Sequence, residues 1–243
     1  METHIQFPAH DGKTIYGVVN TKGKKPKTVL LVIHGRPGAA HESPGLNAAR
    51  FFPSKGIAVC RISLYGSKPN ARRFMECTTK QHGKDIDATV RFLRTQYDHV
   101  FVAGHSWGGP SIWFSDTSKM DGIVLWDPSC DLRKCNKGYS FVSSLKAYMI
   151  QWNWPDLISK KLYDECEKYP LDKLIPFVKK ITVPTKFILA EKGMWIPDGK
   201  KLYNILSGPK SLKILKGAGH LFSEEKAESE LFRETLSWIR KCS

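Results

Sequence analysis

The sequence predicts an α/β protein: a mostly parallel sheet with helices on both faces. Three observations carry that expectation. Short apolar runs bounded by turn residues recur along the chain. The inner runs are continuous rather than alternating, the mark of strands buried on both faces. Amphipathic stretches with helical spacing separate them, which is the rhythm of strand–helix–strand units.

In chain order, residues 3–7 and 14–20 read as two strands around the turn His10-Asp11-Gly12-Lys13. Val29–Ile33 (VLLVI) is the clearest buried strand, and Ile57–Ile62, Val100–Ala103, Ile123–Trp126 and Phe187–Leu189 repeat its signal, with Leu212–Leu215 a weaker copy. Helical patterns fall at about 43–54, 79–96, 107–118 and 199–206, and a last one at 224–241 follows Ser223 as N-cap, with Glu224 and Glu225 in its first turn. Residues 131–180 break the rhythm: they hold no buried-strand run but eight aromatics, Tyr139, Phe141, Tyr148, Trp152, Trp154, Tyr163, Tyr169 and Phe177. The segment is expected to be a helical insertion, leaving 1–130 and 181–243 as one core domain.

Composition bounds the function. With 243 residues, 41% hydrophobic and 25% charged, the chain is an ordinary globular domain rather than a disordered or fibrous one. The net charge of +15 is spread over single lysines, a run at 22–27 and Arg133–Lys137. No basic helix with interleaved aromatics accompanies it, so no nucleic-acid partner is expected. Six scattered cysteines make neither a disulfide scaffold nor, with Cys130 and Cys135 lacking a second Cys/His pair, a zinc set, and no metal is expected. The N-terminal residues carry no signal pattern, and no apolar run reaches the ~18 residues of a membrane span, so a cytoplasmic location is expected.

The chemistry concentrates at Gly104-His105-Ser106-Trp107-Gly108-Gly109, directly after the strand Val100–Ala103 and opening a helical pattern. A G-x-S-x-G between strand and helix places its serine on a sharp corner, which needs small neighbours two residues away. A serine hydroxyl needs a base. His220, after Gly217-Ala218-Gly219 and ahead of the last helix, lies at a strand's carboxyl end, on the rim where Ser106 sits. His34 and His105 read as turn residues beside glycines, and His4, His10, His41, His82 and His99 as surface or turn residues. Two backbone N–H donors are required for an oxyanion. They are expected from Trp107 and from Arg36 in His34-Gly35-Arg36-Pro37-Gly38, where Pro37 has no N–H to give.

Together, HG-x-P after the third strand, GHSWGG, and GAGH before the last helix resemble the α/β-hydrolase superfamily, in its expected order and over nearly the whole chain. The resemblance implies an eight-stranded sheet, a helical cap at 131–180 and a Ser-acid-His triad for ester, thioester or related acyl chemistry without a cofactor. The family's usual acid would fall in Ala190-Glu191-Lys192-Gly193, where Gly193 stands at the aspartate's position. Some branches, such as haloalkane dehalogenases, carry the acid after the sixth strand instead, and this chain has Asp127 there. Asp127 is the favoured acid, with Glu191 the alternative and Asp131 or Asp198 behind it. Those dehalogenases also carry a Trp like Trp107 after the nucleophile, but they attack with aspartate, and Ser106 cannot replace a carboxylate. The expectation is a carboxylesterase-like serine hydrolase for a small ester or thioester, with Met194 and Trp195 beside an apolar acyl pocket. Its rivals are the same triad on another bond (C–C hydrolysis or perhydrolysis) and a non-catalytic relative binding anionic partners.

Overall fold

A computed structural model describes residues 1–23, 26–151 and 155–243. Lys24 and Lys25 of the basic run, and Trp152 and Trp154 of the aromatic set, lie outside the described residues. The first part of the chain forms β1 (Glu2–Pro8), β2 (Thr14–Asn20), β3 (Thr28–Ile33), α1 (Gly45–Phe51), β4 (Ile57–Ser63), α2 (Thr79–Arg94), β5 (His99–His105), α3 (Gly108–Trp113) and β6 (Gly122–Trp126). There follow β7 (Ser140–Val142), β8 (Ala147–Gln151), β9 (Pro155–Ser159), α4 (Lys160–Lys168) and α5 (Leu171–Lys179). The chain closes with β10 (Thr185–Ala190), α6 (Ile196–Ile205), β11 (Lys210–Leu215) and α7 (Ala227–Cys242).

Eight strands make one sheet in the order β1-β2-β4-β3-β5-β6-β10-β11. β2 runs antiparallel to β1 and β4, and every other pairing is parallel. The continuous apolar runs are explained by the two cores they feed. Val29, Leu31 and Ile33 of β3 pack with α2 and α3 residues on one face, while Leu30 and Val32 pack with α1 and α7 residues on the other. Trp126, fully buried, donates its indole N–H to Thr235 Oγ1 at 3.0 Å and so ties β6 to α7. From β3 the chain turns to β4 on one side and later returns to β5 on the other. This switch of direction opens a crevice beyond the carboxyl ends of β3 and β5.

Among the described residues of 131–180, α-helix lies only in the second half. β7, β8 and β9 form a separate antiparallel sheet, and α4 and α5 follow it. The turn at Ser143–Lys146, with Lys146 at φ 48°, folds β7 onto β8, and Tyr148 of β8 stacks on Tyr163 of α4 with centroids 3.6 Å apart. The aromatics that suggested helix therefore glue a small sheet to a helix. The last helix also starts later than expected. Ser223 is not its cap: Phe222 N donates to Gly219 O and Ala227 N to Glu224 O, so two turns occupy 219–227 and Lys226, at φ 72°, leads into α7. No helix among the described residues is long and apolar enough to cross a membrane.

Candidate active site

β5 ends at His105, α3 begins at Gly108, and Ser106 sits between them at φ 52°. A non-glycine residue with positive φ is strained and persists only where its surroundings fix it. They do so here: Ser106 N donates to Trp126 O at 3.0 Å, and Ser129 N donates to Ser106 O at 3.0 Å. The glycines are sterically required. A Cβ on Gly104 would lie 2.7 Å from the Gly108 carbonyl, and one on Gly108 would lie 2.5 Å from Ile33 O.

Asp127 follows β6 directly, is fully buried, and has φ 42°. Its backbone N–H donates to Ile188 O at 2.8 Å, its Oδ1 accepts from Ala190 N at 3.1 Å, and its Oδ2 lies 2.5 Å from His220 Nδ1. The room for that carboxylate comes from Gly193. A Cβ there would lie 2.5 Å from Asp127 Oδ2, so the glycine where an acid was expected and the aspartate on β6 are two sides of one packing arrangement.

His220 completes the chain, with Nε2 2.9 Å from Ser106 Oγ. A carboxylate at Nδ1 requires the proton there, which leaves Nε2 as the acceptor of the serine hydroxyl. The His220 carbonyl accepts a hydrogen bond from His105 Nε2 at 2.9 Å. Burial pushes His105 down to about 4, so at neutral pH it is an uncharged strut fixing the backbone of the His220 loop. His34 is similarly pushed to about 4 by burial, and its ring joins the 34–38 loop to Leu64 N.

That loop lies against the serine: a Cβ on Gly35 would be 3.0 Å from Ser106 Cβ. Neither the Arg36 nor the Trp107 N–H has an acceptor among the described residues, and both residues line one cavity of about 1330 Å³ with Ser106 and His220. Met194 and Trp195 also line it, Met194 two-thirds exposed at the mouth and Trp195 buried.

The other carboxylates do not reach His220. Glu191 is exposed and accepts from Gly217 N at 2.8 Å, Asp198 pairs with Lys134 Nζ at 2.5 Å, and Asp131 accepts from Lys134 N at 3.0 Å. Sequence reasoning misplaced His82, read as a surface or turn residue. It is buried inside α2, where burial pushes it to about 3. Its helical neighbours Asp85, Ile86 and Thr89 are buried too, and that stripe was the available signal. Sequence reasoning also missed Ser129, whose Oγ lies 3.4 Å from Ser106 Oγ, and Cys135, which lines the cavity; nothing in the local sequence marks either.

No family model and no curated protein matches the sequence. Solved structures do match. The α/β hydrolase GrgF from a Penicillium species superposes with a TM-score of 0.78 over 99% of this chain and 98% of its own, at 14% identity. The chain has the α/β-hydrolase fold. Other α/β-hydrolase-like neighbours include Est1E from Butyrivibrio proteoclasticus, in a structure with ferulic acid bound (TM-score 0.80, 15% identity, 97% of this chain and 99% of that one). The esterase domain of a Rhodothermus marinus protein also matches (TM-score 0.72, 18% identity, 99% and 98%). At these identities the likeness is one of fold, and within that α/β-hydrolase frame the site lies in the crevice where the strand order reverses.

Proposed function

We propose that this protein is a serine hydrolase that cleaves carboxylic esters or thioesters through an acyl-enzyme on Ser106. One observation carries the reading: a continuous chain from Ser106 Oγ to His220 Nε2 at 2.9 Å and from His220 Nδ1 to Asp127 Oδ2 at 2.5 Å, held at a strand–helix corner. The esterase-like structural neighbours agree with it.

In this mechanism Ser106 Oγ attacks the carbonyl carbon while its proton passes to His220 Nε2. The buried Asp127 carboxylate keeps the imidazole in its reactive tautomer and stabilises the cation, without taking the proton itself. The tetrahedral oxyanion is received by the N–H groups of Arg36 and Trp107, two donors with no other acceptor. His220 returns the proton to the leaving alcohol or thiol, and water repeats the cycle on the acyl-enzyme.

The test is hydrolysis of p-nitrophenyl acetate and butyrate by wild type and Ser106→Ala, with fluorophosphonate labelling alongside. Turnover and label that both vanish with Ser106 are expected. A folded wild type with neither would overturn the proposal.

A further inference from the structure

The chain has three arginines in or beside its interior that differ in how they are satisfied. Arg72 is paired with Asp85 at 2.9 Å and Asp11 at 2.6 Å, and Arg61 donates to Ala40 O at 2.5 Å and Asn20 Oδ1 at 3.0 Å. Arg36 has no such partner. Its guanidinium makes no hydrogen bond or ion pair among the described residues, and its Nη1 is buried without an acceptor. Yet it is held in place: Cζ lies 4.1 Å from the Trp107 ring centroid and 5.6 Å from that of buried Tyr139. Stacking fixes a guanidinium plane without using its N–H fork.

Two further facts place this residue beside Ser106. Arg36 lines the cavity that holds Ser106, and it rests on the ring of the residue next to Ser106. The other lysines lining the cavity are spoken for or peripheral: Lys134 pairs with buried Asp198, while Lys137, Lys192 and Lys226 are exposed. Most of the remaining wall area is apolar, with Ala39, Met194, Trp195 and Phe222 among its residues, but Glu42, Glu224 and Glu228 also line it, Glu228 held by the Asn47 amide. A fork of fixed N–H donors matches the two oxygens of a carboxylate. A single negative charge is also less costly to bring between apolar walls than the double charge of a phosphate monoester.

We infer that the Arg36 side chain is the anchor for a carboxylate on the substrate, so that the esters taken by this site are anionic monoesters of short dicarboxylic acids. The inference rests on the serine-hydrolase reading for its reaction, but the anion site itself does not depend on turnover.

The experiment compares kcat/KM for monomethyl glutarate and monomethyl adipate with that for uncharged methyl pentanoate, by pH-stat at low salt. Wild type is expected to favour at least one anionic ester by 10-fold or more. Arg36→Gln should lower that ratio by at least 10-fold, chiefly through KM, and Arg36→Lys should restore part of it. In parallel, calorimetry follows glutarate binding to Ser106→Ala protein and to the Ser106→Ala/Arg36→Gln double variant, with binding expected only in the first. A wild type that prefers the neutral ester, or a ratio unmoved by Arg36→Gln, would overturn the inference even if the variant hydrolyses both more slowly. Should Arg36→Gln not fold, the wild-type preference and Arg36→Lys decide. Loss of all turnover with glutarate binding intact would instead count against the hydrolase reading and leave the anion site standing.

Discussion

Gly193→Ala isolates the contact on which the placement of the Asp127 carboxylate depends. Gly193 has an ordinary backbone conformation, so alanine introduces no strain of its own there. The added methyl would sit 2.5 Å from Asp127 Oδ2 and 3.1 Å from Ala190 O. A carbon–oxygen contact relaxes to about 3.3 Å, so the carboxylate has to retreat by roughly 0.8 Å. It cannot retreat freely, because Oδ1 is tied to Ala190 N and the residue is fully buried. The movement is therefore taken out of the 2.5 Å bond to His220. A misplacement near 1 Å costs about 10²-fold in rate, and full loss of the acid's orienting role about 10⁴-fold, or ~5.4 kcal/mol. Gly193→Ala is expected within that range, Asp127→Ala at its upper end, and Glu191→Ala within about 3-fold of wild type. The assay is p-nitrophenyl butyrate kcat at pH 8, with thermal melting to confirm that each variant folds. A folded Gly193→Ala with wild-type kcat would refute the steric argument. A larger loss in Glu191→Ala than in Asp127→Ala would refute the acid assignment.

Burial holds His34 and His105 at about 4 and His82 at about 3, whereas in the unfolded chain they protonate near 6.5. Their stability contribution is thus complete above pH 6.5 and lost as pH falls towards 4. Three extra protons in the unfolded state give about 4 kcal/mol per pH unit near pH 5, opposed by about 1 from Asp85, which burial raises to about 6 despite Arg72. Melting at pH 5 should fall roughly 10 °C or more below that at pH 7, and a flat or rising Tm would contradict this. His82→Met, which removes two buried ring nitrogens without partners, should lessen the acid loss and leave stability at pH 7 unchanged or higher by denaturant titration. Thr235→Val strands the buried Trp126 indole N–H and should cost about 1–3 kcal/mol by the same titration. Gly108→Ala drives a methyl to 2.5 Å from the Ile33 carbonyl, a backbone atom that cannot yield, and should abolish fluorophosphonate labelling of Ser106.

The inner strands of the sheet were legible because each is buried on both faces, which leaves an unbroken apolar run such as VLLVI. The corner at Ser106 was legible because its geometry demands glycines at fixed spacing, and those glycines are visible as letters. The carboxylate beside His220 could be read only as a pair: a glycine where a carboxylate was due and a carboxylate one strand away. The small sheet of β7–β9 was not legible. Its strands are three to five residues long and half-exposed, too short for period-two alternation to stand out among aromatics. The late start of α7 was hidden for another reason. Ser223 is a good cap by type, but the burial of Phe222 and the turns at 219–227 override local preference. The orientation of the Arg36 side chain is purely tertiary, set by Trp107 and by Tyr139 from the inserted segment.

The mutual exclusion of Asp127 and a side chain at position 193 also has a consequence for how the sequence can change. On the proposed mechanism, a single substitution that returns a carboxylate to 193 collides with the one already present, and a single substitution that removes Asp127 leaves His220 without an acid. Each one-step neighbour is therefore impaired, and only the paired change is expected to reach the other arrangement. The two positions form a lock between strand ends β6 and β10, and a chain that has entered this state is kept there by sterics as much as by chemistry.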